Sequence, residues 1–199
     1  MFMQKYFYLL CILLFTAPTY SNINRSIPDI HPHMKNYFNV IQKDISKNEK
    51  VYRLFIAEPK VKTFQKPTAL YLLDGNAHFP LAINAVNPNK TLPLIIGIGY
   101  VTSDSYDKVQ RTRDYTFPAE GKEFIHGGGA DAFLNFITDT LIPHIEQHYD
   151  VTSHQRYFFG HSFGGLFGLY ILFNRPKLFQ HYVIASPSLW WGGRHNYAI

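Results

Sequence analysis

The chain has 199 residues, 46% of them hydrophobic and 17% aromatic, a composition that indicates a globular domain and excludes a disordered chain. Its formal net charge of +5 comes without a dense run of Lys or Arg, so no nucleic-acid partner is predicted. The single cysteine, Cys11, lies in the first apolar segment. The rest of the chain can therefore form neither a disulfide nor a thiolate metal site, and its nucleophile cannot be a thiol.

The first 21 residues have the pattern of a secretory signal peptide. Lys5 supplies a positive start, residues 6–15 (YFYLLCILLF) are apolar, and residues 19–21 (TYS) offer a cleavage site. An uncleaved membrane anchor is the alternative, but the apolar stretch is short for a transmembrane helix. We therefore predict a periplasmic or secreted protein, one domain over residues 22–199, and no stable membrane insertion after cleavage.

After the predicted signal peptide, the predicted strands and helices largely alternate along the chain. The predicted strands are residues 37–45, 50–58, 68–73, 92–98, 157–159 and 179–185. The first two are expected to form a hairpin, and predicted helices cover residues 78–86, residues 130–149 and a segment after residue 162. Residues 99–129 are polar and are predicted to be one long functional loop. Strands that alternate with helices predict an α/β fold with a doubly wound, mostly parallel sheet.

The most informative stretch is residues 155–170 (QRYFFGHSFGGLFGLY). An apolar strand runs through a tight turn into a helix, and residues 160–164 spell G-x-S-x-G. This context predicts a nucleophile elbow that presents the hydroxyl of Ser162. A glycine-rich turn with an incidental serine is the alternative, since a short motif alone is only a hypothesis.

Acyl transfer at a serine needs two N–H donors for the oxyanion of the tetrahedral intermediate. One is the N–H of the residue after the nucleophile, here Phe163. The other comes from the loop after the third strand, where Asp74-Gly75-Asn76 follows the strand at 68–73. We predict that Asn76 supplies it, with an ordinary strand-end turn as the alternative.

The general base is harder to identify. In this class of site the order is Ser, Asp or Glu, then His, yet no carboxylate follows Ser162. His181 lies near the beginning of the last strand, at the end away from the elbow, whereas His195 follows that strand and stands four residues from the end of the chain. No histidine has metal-ligand spacing with nearby carboxylates, so neither a metal nor another cofactor is predicted.

Four motifs follow one another along the chain: residues 72–76 (LLDGN), residues 111–116 (RTRDYT), the elbow at residues 160–164 and residues 186–191 (SPSLWW). With them the chain resembles the esterase family of α/β-hydrolases, and within it the siderophore trilactone esterases of the enterobactin, salmochelin and bacillibactin type. The resemblance implies an α/β-hydrolase fold, Ser162 as the nucleophile, and Phe163 and Asn76 as the oxyanion positions.

The resemblance also implies that Arg111 and Arg113 lie at the substrate mouth, where such esterases handle anionic ferric siderophores. Pairing of either arginine with Asp114 or Asp107 is the alternative. Members of the family continue past residue 199 to further strands and a catalytic histidine, so the resemblance implies the amino-terminal part of such an enzyme, without its carboxyl-terminal strands.

The expected function is therefore that of a serine carboxylic-ester hydrolase which cleaves a small-molecule ester, a siderophore lactone, through an acyl-serine intermediate. Two alternatives stay open. One is a non-catalytic, truncated remnant of such an esterase, and the other is an acyltransferase on the same fold.

Overall fold

A computed structural model describes residues 29–193, except residues 63, 65 and 153. The predicted signal peptide and His195 lie outside the described residues. The strands are β1 (Phe38–Lys47), β2 (Lys50–Pro59), β3 (Ala69–Leu73), β4 (Leu94–Gly99), β5 (Arg156–His161) and β6 (His181–Ala185). The α-helices are α1 (Gly75–Ala85), α2 (Lys108–Tyr115), α3 (Ala130–Phe136), α4 (Ile142–His148) and α5 (Phe163–Asn174). None of the helices in this part of the chain is long and apolar enough to span a membrane.

The described strands form one six-stranded sheet in the order β1-β2-β4-β3-β5-β6. β2 is antiparallel to both of its neighbours, β1 and β4, whereas β4, β3, β5 and β6 run parallel. The side chains of β3 alternate between two cores: Leu72 packs with α1, and Tyr71 and Leu73 pack with the helices on the other face. The predicted α/β fold with a mostly parallel, doubly wound sheet is confirmed. The carboxyl ends of the parallel strands share one edge, which is where such sheets place their ligands.

The predicted hairpin forms around a two-residue turn. Lys47 pairs with Lys50, and the intervening Asn48 and Glu49 both have positive φ, 48° and 63°. Positive φ at both central positions matches the type I′ turn, whose twist suits a tight hairpin. The β1–β2 hairpin therefore adds two strands to the sheet, beside β4 at one edge of the parallel strands.

Residues 99–129 are not one loop, and that prediction was wrong. They contain α2 and a 3₁₀ turn at Lys122–Phe124. The carboxylate of Asp107 caps α2 by accepting the N–H of Gln110 at 2.9 Å. α2 has no apolar stripe that would have predicted it from the sequence. The helix is instead held by two buried residues at its end, Asp114 and Tyr115.

The helix predicted at residues 130–149 is present, in three parts. α3 continues through a π-helical turn at Ile137–Leu141 into α4. Pro143 cannot donate an N–H, and its ring would clash with the carbonyl of Asp139 in a regular α-helix. The wider π turn just before Pro143 therefore lets the helix continue.

Candidate active site

The elbow has the predicted strand–turn–helix geometry. Ser162 links β5 directly to α5 and has φ 58° and ψ −118°. Such a conformation costs about 1–3 kcal/mol for a residue other than glycine, so its surroundings must hold it. They do so through the backbone: the N–H of Ser162 donates to Ala185 at 3.0 Å, and its carbonyl accepts from Leu166 at 2.9 Å and Ser188 at 3.1 Å. The role of Ser162 as nucleophile stays a prediction.

The hydroxyl of Ser188, which the sequence did not indicate, lies within hydrogen-bonding distance of the Ser162 hydroxyl. The two Oγ atoms are 3.0 Å apart, and Ser188 is buried. Its turn is anchored by Trp191, whose N–H donates to the Ser188 carbonyl at 3.2 Å and whose indole N–H donates to Phe117 at 2.8 Å. The motif at residues 186–191 is visible in the sequence, but its spacing does not show that its second serine contacts the elbow.

Replacing Ser188 should weaken the orientation of the Ser162 hydroxyl without unfolding the chain. One ordinary hydrogen bond contributes about 1 kcal/mol, so Ser188→Ala should slow covalent labelling of Ser162 by about fivefold. The measurement is the second-order rate of fluorophosphonate labelling, with Ser186→Ala as the neighbouring-serine control. A Ser188→Ala rate equal to that of the parent chain would show that the contact is incidental.

The predicted oxyanion loop is the first turn of a helix, because α1 begins at Gly75 and not at residue 78. The side chain of Asn76 is fixed by the backbone of Tyr100: its Nδ2 donates to the carbonyl at 3.0 Å, and its Oδ1 accepts the N–H at 2.9 Å. Helices leave their first N–H groups without intrahelical partners. The N–H of Asn76 and that of Phe163, in the first turn of α5, are therefore two such groups at one sheet edge.

The beginnings of these two helices are neighbours. β3 and β5 are adjacent, with Leu72 opposite Phe159. A Cβ placed on Gly164 would lie 3.7 Å from Oδ2 of Asp74, so the first turn of α5 packs directly against the residue before α1. The assignment of the Asn76 and Phe163 N–H groups to one oxyanion hole remains a prediction that this arrangement supports.

Arg111 lies in α2 and points into the protein. Its Nε and Nη2 donate to the two carboxylate oxygens of Asp74 at 2.9 and 2.8 Å, and only 11% of the Arg111 side chain and 1% of the Asp74 side chain are exposed. The guanidinium carbon lies 5.4 Å from the ring centre of Phe163. The sequence did not indicate this partner, 37 residues away.

Arg113 pairs with Asp114, one of the alternatives left open by the sequence. Both guanidinium contacts are 2.7 Å, and Asp114 also accepts from Lys50 at 3.4 Å and from the Tyr100 hydroxyl at 3.3 Å. Both predicted substrate-binding arginines thus have carboxylate partners within the chain. Contact of Arg111 or Arg113 with a substrate stays a prediction.

No histidine among the described residues bonds to the Ser162 hydroxyl. His78, in α1, has Nδ1 2.9 Å from the Leu73 carbonyl and Nε2 3.4 Å from the Tyr106 hydroxyl. Burial lowers the pKa of His78, against smaller raising effects of that carbonyl and of Asp74. His161, next to the elbow, is exposed and faces His78 at a ring distance of 6.1 Å.

The lowered pKa of His78 predicts acid sensitivity. Below about pH 6.5, His78 binds a proton in the unfolded chain but stays neutral in the folded chain. The free energy of unfolding should therefore fall as the pH drops through this range. Urea unfolding at pH 7.5 and 5.5 tests this. His78→Gln should reduce the difference in stability between the two pH values, whereas the exposed His154→Gln should retain it. An unchanged pH dependence in His78→Gln would refute the prediction.

The sheet order, the strained turn between β5 and α5, and the paired helix starts at one sheet edge define an α/β-hydrolase-type domain. The family model described as "Putative esterase" matches residues 47–197. The chain belongs to this esterase family.

Named relatives agree with that assignment. The chain is 38% identical over 167 residues to a ferri-bacillibactin esterase, BesA, of Bacillus subtilis, covering 73% of this chain and 57% of the relative. It is 39% identical over 145 residues to a siderophore enterobactin esterase of Emericella nidulans, covering 63% and 48% respectively. The chain therefore spans about half the length of these curated relatives.

Solved structures show the same likeness. The BES protein from Bacillus cereus has a TM-score of 0.72 and 34% identity, covering 77% of this chain and 63% of that one. The enterobactin and salmochelin hydrolase IroE has a TM-score of 0.67 and 29% identity, covering 78% and 65%.

Proposed function

We propose that this chain carries the nucleophile and oxyanion hole of a serine carboxylic-ester hydrolase that acts on a siderophore ester. The observation that carries the proposal is Ser162, held in a strained turn beside the uncapped first turns of two helices. Family membership and the names of the relatives support the reaction class and the substrate class.

The proposed reaction proceeds in two acyl-transfer steps. Ser162 Oγ bonds to the ester carbonyl carbon while its proton passes to a base, and the carbonyl oxygen becomes an anion that accepts from the N–H groups of Phe163 and Asn76. Collapse of this intermediate breaks the bond to the alcohol oxygen, which takes the proton. Water then attacks the acyl-serine in the same manner. We assign the base to no described residue, because no described histidine hydrogen-bonds to the Ser162 hydroxyl.

An aromatic, anionic substrate fits the surroundings of Ser162. Trp190 is 61% exposed, and its ring lies 5.4 Å from that of Phe163, next to the predicted oxyanion position. Such a surface suits the catechol rings of a siderophore. The net charge of +5 favours the approach of an anion. From the apolar segment at residues 6–15, we propose that this reaction occurs in the periplasm or outside the cell.

The test is hydrolysis of a ferric catecholate trilactone by the full chain, followed by chromatography of the linear products. We expect product from the parent chain and none above background from Ser162→Ala. Equal product from both chains would refute Ser162 as the nucleophile. Residual binding should persist in Ser162→Ala, measured as quenching of tryptophan fluorescence, because the variant keeps Trp190.

A second candidate is a non-catalytic siderophore-binding domain, favoured because no described histidine hydrogen-bonds to the Ser162 hydroxyl. It predicts that the full chain quenches its tryptophan fluorescence with the ferric trilactone yet yields no product. Turnover that depends on Ser162 would exclude it.

A further inference from the structure

Asp74 precedes α1 but does not behave as a helix cap. An aspartate at this position ordinarily accepts the N–H of the second or third helical residue, here Asn76 or Ala77. Asp74 instead has φ 51° and ψ 48°, in the left-handed region, and makes no side-chain bond to its own helix. Its backbone carbonyl accepts hydrogen bonds from the N–H groups of Ala77 and His78, both at 2.9 Å.

The chain provides its own comparison in Asp107, the residue before α2. Asp107 has φ −78° and ψ 96°, and its carboxylate accepts the N–H of Gln110 in the ordinary way. The difference lies in the partner. Both carboxylate oxygens of Asp74 are occupied by the fork of Arg111, and the N–H of Asp74 donates to the Tyr115 hydroxyl at 3.2 Å.

The pairing of Asp74 with Arg111 affects the predicted oxyanion donor, the N–H of Asn76. A free Asp74 carboxylate could cap α1 in the ordinary way, by accepting the N–H of Asn76, and such a cap would occupy the donor. An unpaired carboxylate beside the site would also repel the developing oxyanion, because like charges in a poorly hydrated site interact strongly. The Arg111 guanidinium prevents both effects, since it binds the carboxylate and cancels its charge.

We infer that Arg111 is a positioning residue: it holds the Asp74 carboxylate away from α1, so that the N–H of Asn76 stays available to the oxyanion. This inference rests on the proposed function, because it assigns a role within the same site. It gives Arg111 a purpose inside the protein that requires no contact with an anionic group of the substrate.

A boronic acid tests the inference without turnover. Phenylboronic acid adds the Ser162 hydroxyl to boron, releases one proton to solvent, and forms a tetrahedral anion that resembles the intermediate. It carries no anionic group for an arginine to recognise beforehand. Adduct formation by the full chain is followed by the ¹¹B NMR shift, and Kd by titration of tryptophan fluorescence, with circular dichroism to show that each variant is folded.

Arg111→Gln should weaken the boronate Kd about tenfold or more, since loss of one oxyanion donor costs still more in enzymes. The decisive variant is Asp74→Gly/Arg111→Gln, which removes the carboxylate and leaves no side chain to cap α1; glycine adopts the left-handed conformation freely. We expect it to recover a Kd within about threefold of the parent chain, because both the competing cap and the repulsive charge are gone. Asp107→Asn removes the same charge at an ordinary cap and should leave Kd unchanged.

The outcomes separate the two proposals. If the folded parent chain forms no tetrahedral adduct, or Ser162→Ala forms the same one, the proposed function fails and the inference fails with it. If the parent chain forms the adduct but Arg111→Gln binds equally well, the inference alone is overturned. It is also overturned if the double variant binds as weakly as Arg111→Gln, since Arg111 would then act only through the fold.

Discussion

Gly160→Ala should destroy the elbow. A Cβ at residue 160 would overlap the backbone carbonyl of Gly164, closer than real Cβ atoms approach such groups. Neither partner is a flexible side chain, so β5 and α5 would have to separate. We expect the free energy of unfolding to fall by about 3 kcal/mol or more, together with loss of Ser162 labelling. Urea unfolding followed by circular dichroism measures the first effect.

The second glycine of the motif is the matched control. A Cβ on Gly164 would meet Leu73 at 3.4 and 3.5 Å, which is ordinary van der Waals contact. Alanine is also favoured over glycine inside a helix by about 1 kcal/mol. Gly164→Ala should therefore retain the stability of the parent chain or exceed it. Equal losses in the two variants would contradict this distinction within the motif.

Asp114→Ala should be the other costly change. The Asp114 side chain is fully buried. It pairs with Arg113 and Lys50 and accepts a hydrogen bond from the Tyr100 hydroxyl, so it links α2 to β2 and to the residue after β4. Removing one partner of a buried ion pair leaves the remaining charges without compensation, and typically costs about 3–5 kcal/mol. The measurement is again the free energy of unfolding in urea.

The hairpin provides the control for this variant. Asp44 pairs with Arg53 at 2.8 and 3.0 Å, but 42% of the Asp44 side chain is exposed. Exposed pairs contribute about 0–1 kcal/mol, so Asp44→Ala should have a small effect. An Asp114→Ala loss no larger than that of Asp44→Ala would show that the buried network does not stabilise α2.

The parts of the fold that the sequence predicted are those with local signals. The apolar run at residues 68–73 and the glycine-flanked turn at Ser162 each carry their own pattern, and both appear where expected. α2 carries no such pattern, because its stability comes from the buried Asp114 and Tyr115 and not from an apolar stripe. Periodicity could not reveal a helix whose contacts are tertiary.

The candidate site shows the same division. Ser162, Phe163 and Asn76 could be predicted from the sequence because each has a fixed offset from a strand end or from the motif, and their roles remain predictions. The contacts of Ser188 with Ser162 and of Arg111 with Asp74 join residues 26 and 37 positions apart, and no spacing rule predicts them. The base remains unassigned, since His195 lies outside the described residues and no described histidine bonds to Ser162.

The most direct test of the account is covalent labelling of Ser162 by a fluorophosphonate. The full chain and Ser162→Ala are treated in parallel, and the adduct is located by mass spectrometry of the peptide that contains residues 157–175. We predict one adduct per chain, on Ser162, and none on Ser162→Ala. An unlabelled parent chain, or equal labelling of the two chains, would contradict the account.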